Sequence, residues 1–169
     1  MSDLADFRRA KDDFMRRDHQ SPLTDDQQRA FTGLTYFVEN PSLSFELEVR
    51  EFENPEAVEM QTSTGQAASY QRWGKIAFSV EVEPAELTLY KDLDGGEVFL
   101  PFADATSGEE TYGAGRYLDT HPLPGDRVLV DFNHAYNPYC AYNEQWSCPL
   151  TPFENRLQVP IRAGEKVFK

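Results

Sequence analysis

The chain has 169 residues, 29 acidic against 16 basic, and a formal net charge of −13. That length suits one domain with a real core and is too short for two comfortable ones; hydrophobic content of 40% with 13% aromatics excludes a disordered chain. The acidity excludes nucleic acid and anionic membranes as partners, since both require basic patches, and no apolar run approaches the roughly 20 residues of a membrane span.

The N-terminal stretch MSDLADFRRAKDD lacks the apolar region of a secretory signal, which predicts a cytoplasmic protein. Leu4, Phe7, Lys11, Phe14 and Met15 form a helical stripe with Asp3 and Asp6 in the first turn, and Ser21-Pro22 ends it. Thr24 followed by Gln27 is a capping-box pattern that starts a short second helix carrying Ala30 and Phe31, with Gly33 as its stop. From Leu43 the period becomes two. Phe45, Leu47 and Val49 alternate with Glu46, Glu48 and Arg50, and a strand around Val58 and Met60 follows the turn at Asn54-Pro55. Beyond the Ser63-Gly65 turn, Ile76, Phe78, Val80 and Val82 share one strand face. Pro84 separates this strand from Leu87–Tyr90, and Asp94-Gly95-Gly96 signals a hairpin into Val98–Phe102. Val128–Phe132 and Leu157–Ile161 complete the set, Pro160 putting the last strand at an edge or bulge.

The fold class expected is mainly β (α+β): about seven short antiparallel strands in a small curled sheet or barrel, with two N-terminal helices. The chain reads as a single domain over 1–169, a helical segment at 1–33 leading into a β domain at 43–169. Only five basic residues are lysines, and a lysine-poor, acid-rich surface reads as the solvation feature of a salt-adapted protein.

Two loops hold the residues with chemistry. In Phe102–Tyr117, Thr106 with Glu109 and Ser107 with Glu110 have capping-box spacing, enough for one helical turn. Gly108, Gly113 and Gly115 permit close backbone approach, but their spacing is neither a dinucleotide nor a P-loop fingerprint. Arg116 reads either as a structural ion pair with Asp104 or Asp131, or as a clamp for a ligand carboxylate or phosphate. The second loop, Asp131–Leu157, contains both cysteines. At its start Asp131 and Asn133 lie on the face opposite Val128, Val130 and Phe132, placed to bind a ligand or to anchor the loop's own backbone.

The blocks PFADATSGEETYGAGRYLD and DFNHAYNPYCAYNEQWSCPLTPFENRL resemble the signature blocks of the DUF1684 family, a domain of unknown function. The similarity runs through nearly the whole chain. It implies membership but no substrate or mechanism.

Seven residues separate Cys140 from Cys148, which matches no zinc knuckle. Ordinary buried thiols are the favoured reading, ahead of a loop-closing disulfide and of a metal site completed by His134 and a carboxylate. Ser107 lies outside any nucleophile-elbow pattern, and a triad with His134 and Asp131 requires the two loops to meet. A histidine-free site would use Glu144, Glu154 or Asp104 as base, with Tyr112 or Arg116 polarising a substrate. Tyr136, Tyr139, Tyr142 and Trp146, interleaved with Asn137, Asn143 and Asn155, suit either a lining for a polar ligand or a private core for the loop.

The function expected is binding of a small polar or anionic molecule between loops 104–116 and 131–156. Arg116 and Arg156 would hold the ligand's charge. The candidate residues are Asp104, Thr106, Ser107, Tyr112, Arg116, Asp131, Asn133, Tyr136, Asn137, Asn155 and Arg156. No cofactor is expected, and nothing in the sequence excludes a homo-oligomer or decides between binding protein and enzyme. The alternative is a non-catalytic structural or interaction module whose two loops close the fold.

Overall fold

A computed structural model describes residues 3–93 and 96–168. Helix α1 (Asp3–Arg17) buries Leu4 and Met15 and has Asp3 and Asp6 in its first turn. Helix α2 (Asp25–Ala30) starts on Thr24, whose side chain accepts from the Gln27 backbone while the Gln27 side chain accepts from the Thr24 backbone. The capping box read from the sequence forms in full.

Nine strands follow among the described residues: β1 (Ser44–Glu48), β2 (Arg50–Glu51), β3 (Ala57–Gln61), β4 (Ala67–Val80), β5 (Glu83–Asp92), β6 (Val98–Phe102), β7 (Arg116–Leu118), β8 (His121–Leu123) and β9 (Arg127–Asp131). They form two antiparallel sheets. One has the order β1-β9-β8, the other β2-β4-β5-β6-β7, with β3 also paired to β4. The sheets are not closed into a barrel; the curled-sheet form of the expected α+β architecture is the one adopted. Their inner faces enclose the core, where Phe132 packs on Phe45, Phe78 and Phe102 with ring centroids 5.2–6.1 Å apart.

Four expectations are corrected. Strand β4 begins at Ala67, well before Ile76, the first residue of the strand face read from the sequence, and a register shift between Arg72 and Gly74 lets it bend between the two ends of the sheet. Val82 is 93% exposed, not on the core face, because Glu81 and Val82 form the two-residue turn between β4 and β5, at φ +50° and +66°. Pro84 lies inside β5 instead of ending it. It is opposite Ser79, next to the turn-closing pair Val80 and Glu83, where alternation points the backbone nitrogen away from β4. Finally, Leu157–Ile161 forms no strand: its backbone hydrogen bonds go to the Asp104 loop, Leu157 N–H to the Ala103 carbonyl and Ile161 N–H to the Asp104 carboxylate. The hairpin signal at Asp94-Gly95 lies outside the described residues, although the flanking strands pair, Tyr90 with Phe99 and Lys91 with Val98.

Candidate functional site

The Asp104–Arg116 loop is held by its own polar groups. The Asp104 carboxylate accepts from the Thr106 hydroxyl (2.8 Å), the Ser107 hydroxyl (3.3 Å) and Ile161 N–H (2.6 Å). The Thr106 carbonyl accepts from Glu109, Glu110 and Thr111 N–H groups, a single closed turn that no helix extends. Arg116 is 1% exposed. Its guanidinium donates to the carbonyls of Ile161 (2.8 Å), Ala163 (2.5 Å) and Glu165 (3.1 Å), and lies 3.7 Å from Asp104. Burial lowers its pKa to about 10, with Asp104 and Glu165 pulling the other way. Of the two roles read for Arg116, the structure displays the Asp104 ion pair, extended by three backbone carbonyls.

The two loops do meet, and their junction is packed. At Gly115, with φ +102°, a side chain would collide with Thr151 Oγ1 and the Phe102 carbonyl. Thr151 donates to the Ala114 carbonyl (3.1 Å), and Tyr117 and Tyr136 exchange backbone hydrogen bonds. Asp131 accepts from the Asn133 backbone and side chain, and Asn133 in turn holds both backbone groups of Asn40. Asn137 donates to Glu165 and to the Lys166 carbonyl; Glu165, 0% exposed, also takes Lys11 (2.8 Å) and the Tyr142 hydroxyl. The loop's aromatic rings pack locally, Tyr139 on Trp146, while Trp146 Nε1 donates to the Pro22 carbonyl and the Tyr136 hydroxyl to Asp119.

Neither histidine-based arrangement forms. His134 lies 3.7 Å from Asp131 and packs edge-on against Phe7, whereas the Ser107 hydroxyl belongs to the Asp104 turn. No group of three or more metal-ligating side chains gathers among the described residues. Cys140 and Cys148 are both buried free thiols, with Cys140 N–H 3.4 Å from Cys148 Sγ and the Tyr112 hydroxyl 3.6 Å from Cys140 Sγ.

The loop's far end is different. Between residues 150–156 and strand β3 lies an open cleft of about 410 Å³, a volume suited to a small molecule. Val58, Met60 and Leu150 supply apolar wall. At the base Glu154 accepts from Arg72 through two nitrogens (2.7 and 3.1 Å), from the Thr88 hydroxyl (2.8 Å) and from the Tyr90 hydroxyl (2.7 Å). Partial burial opposes ionisation of Glu154, but these hydrogen bonds and the Arg72 charge outweigh it and lower its pKa to about 2. Asn155, 0% exposed, fixes the segment to the sheet through both backbone groups of Thr88 and the Pro101 carbonyl. Arg156 lines the cleft, exposed, with no side-chain hydrogen bond or ion pair among the described residues.

A family model for proteins of unknown function, DUF1684, matches residues 29–166. The chain belongs to the DUF1684 family. A similar solved structure is the solution NMR structure of an uncharacterised protein from Haloarcula marismortui, 35% identical, covering 96% of this chain and 91% of that one with a TM-score of 0.74. No curated protein matches. The two DUF1684 blocks seen in the sequence are the two loops that pack together here, so much of that signature records how the fold closes: Asp104, Arg116, Asn133 and Asn155 all hold backbone. The cleft takes only Leu150–Pro152, Glu154 and Arg156 from the second block. Its other members, Val58–Gln61 and Tyr90, come from strands that sequence reasoning treated as scaffold. No local spacing connects Arg72, Thr88–Tyr90 and Glu154: the β4–β5 register sets Arg72 opposite Tyr90, and Glu154 reaches them from the 3-10 turn at Phe153–Asn155.

Proposed function

We propose that this DUF1684 protein binds a small polar molecule bearing an anionic group in the cleft between β3 and residues 150–156. The observation that carries the reading is Arg156, a guanidinium with no side-chain partner among the described residues, at the edge of a cleft whose base is already charge-balanced by the Arg72–Glu154 pair. Arg156 supplies planar donors for a carboxylate or phosphate. Strand β3 supplies the rest. Thr62 N–H bonds Gln66 and Arg72 N–H bonds Glu56, so by alternation the backbone of residues 57, 59 and 61 points away from β4; Leu150 N–H takes the Gln61 carbonyl, and the Glu59 N–H and carbonyl face the cleft side. Val58 and Met60 give the ligand's apolar part a wall. This keeps Arg156 in the ligand site expected from the sequence and moves its centre away from Arg116.

The test is a thermal-shift screen of cell-extract metabolite fractions and of inorganic phosphate, followed by mass spectrometry of whatever the protein retains. A ligand at about 100 times its Kd stabilises by about 2.7 kcal/mol. Arg156→Glu, an exposed change worth under about 0.5 kcal/mol to the fold, is expected to abolish that shift. Retention of every ligand by Arg156→Glu overturns the reading.

The second reading, a structural or interaction module without a small-molecule ligand, is favoured by the closed loop junction. Under it no metabolite fraction raises the melting temperature. The acidic surface fits a salt-adapted member of the family, and the Haloarcula relative supports that reading.

A further inference from the structure

Away from the cleft, the two cysteines form a compact polar cluster. Cys140 opens from a short 3-10 turn at Tyr139–Ala141, and Cys148 ends the exposed segment that follows. The tip of the β3–β4 hairpin holds the second cysteine in place: Cys148 N–H donates to Ser63 Oγ (3.1 Å), and Ser63 N–H donates to the Cys148 carbonyl (2.9 Å). Thr64 and Ser147 share a further hydroxyl contact at 2.7 Å. Cys140 N–H points at Cys148 Sγ from 3.4 Å, which places the two side chains against each other. Beside the Cys140 sulfur lie the Cys148 thiol and the Tyr112 hydroxyl, the latter 3.6 Å away, while the Ser63 hydroxyl donates to the Trp146 carbonyl (3.0 Å).

We propose that Cys140 and Cys148 form a reversible dithiol–disulfide site that reacts with peroxides, Cys140 as the attacking thiol and Cys148 as the resolving one. The donors decide the order. A thiolate on Cys140 is stabilised chiefly by the Cys148 thiol, against burial and with help from Tyr112, so its pKa is lowered; the same contact with a Cys140 thiolate raises that of Cys148. In the first step Cys140 thiolate attacks a peroxide oxygen. The S–O bond forms, the O–O bond breaks, and hydroxide leaves to become water, giving a sulfenic acid. Cys148 then gives up its proton and attacks the Cys140 sulfur. The S–S bond forms, the S–O bond breaks and a second water leaves. Two thiols and one hydrogen peroxide thus yield one disulfide and two waters, and a dithiol reductant restores the starting state. The bond closes a ring across seven intervening residues that include Tyr142 and Trp146.

The experiment treats reduced, full-length protein with hydrogen peroxide, denatures it, and digests it with chymotrypsin, which cuts after Tyr142 and Trp146 between the two cysteines. The expected products are two peptides joined by a bond that dithiothreitol breaks, and an intact mass lower by two hydrogens. Before oxidation, Cys140 is alkylated at neutral pH at least about tenfold faster than Cys148. Cys148→Ser traps a sulfenic acid at Cys140 that dimedone captures, and Tyr112→Phe slows alkylation of Cys140 several-fold. Two free thiols surviving excess peroxide, or Cys140 passing to sulfinic acid with no joined peptides, overturns the proposal, and both outcomes are readable in the wild-type protein alone.

Discussion

Replacing Arg116 by alanine removes a cation that is 1% exposed and bonded to three backbone carbonyls. The Ile161, Ala163 and Glu165 carbonyls each lose a donor inside the protein, at roughly 1 kcal/mol apiece. Asp104, itself 6% exposed, loses its charge partner, and breaking a buried pair from one side costs about 3–5 kcal/mol. The two figures describe overlapping effects, so the expected loss is about 3–5 kcal/mol. Against a total stability of about 5–15 kcal/mol, that lowers the melting temperature by roughly 6–20 °C for a domain of this size. Urea unfolding followed by circular dichroism measures it, with the midpoint falling and the slope unchanged. Arg116→Lys is expected to fall between the two, because one ammonium cannot span three carbonyls that a planar guanidinium reaches together. A melting curve for Arg116→Ala within about 1 kcal/mol of the wild type would refute the assignment of Arg116 as the tie between its loop and residues 161–165.

Three further outcomes are expected. Glu81 and Val82 occupy left-handed backbone that side chains disfavour, and Val82 packs on little, so Glu81→Asn with Val82→Gly is expected to raise stability by about 1–2 kcal/mol; an unchanged or lower melting temperature contradicts this. Burial raises the pKa values of Tyr36, Tyr90, Tyr112, Tyr117 and Tyr136, Tyr112 to about 12. The unfolded chain therefore ionises first: stability is whole below pH 10.0 and falls above it, by up to about 1.4 kcal/mol per pH unit for each such tyrosine, which urea melts in alkaline buffers follow. Glu154 runs the other way. Its contribution is present above pH 4.5 and disappears as the pH falls through about 2, so Glu154→Gln flattens the acid limb of the stability curve and costs about 1 kcal/mol at neutral pH; a mutant with the wild-type acid limb argues against the Arg72–Tyr90 network as its cause.

What the sequence disclosed tracks how local each cause is. The Thr24–Gln27 box needs only four consecutive residues, and the core face of Val128, Val130 and Phe132 needs only alternation; both appear in the fold. Strands β7 and β8 span three residues each, too few for any period to register, and were missed. Val82 continued the core alternation of Ile76, Phe78 and Val80 by residue type, although the chain had already turned. Leu157–Ile161 has the composition of a strand, but the Asp104 carboxylate offers its backbone a partner that no strand template anticipates. Of the candidate site, Arg116 and its pairing with Asp104 were legible, while its three carbonyl partners, 45 to 49 positions away, were not. The cleft is less legible still, because Tyr90 and Glu154 are 64 positions apart and meet only where the Phe153–Asn155 turn docks on β5.

That separation also sets a timetable for the growing chain. At roughly 5–20 residues per second, the ribosome adds Ile161 roughly 2–9 s after Arg116, whose carbonyl partner it is. The last strands, β7 to β9, are completed early in that interval, at Asp131, but the carbonyls that neutralise the desolvation of Arg116 come only at its end. A nascent chain stalled between these two residues is therefore expected to remain open to protease around the Asp104–Arg116 loop and to become resistant only when residues 161–165 have emerged. Protection at shorter lengths would show that the loop closes without its carbonyl partners.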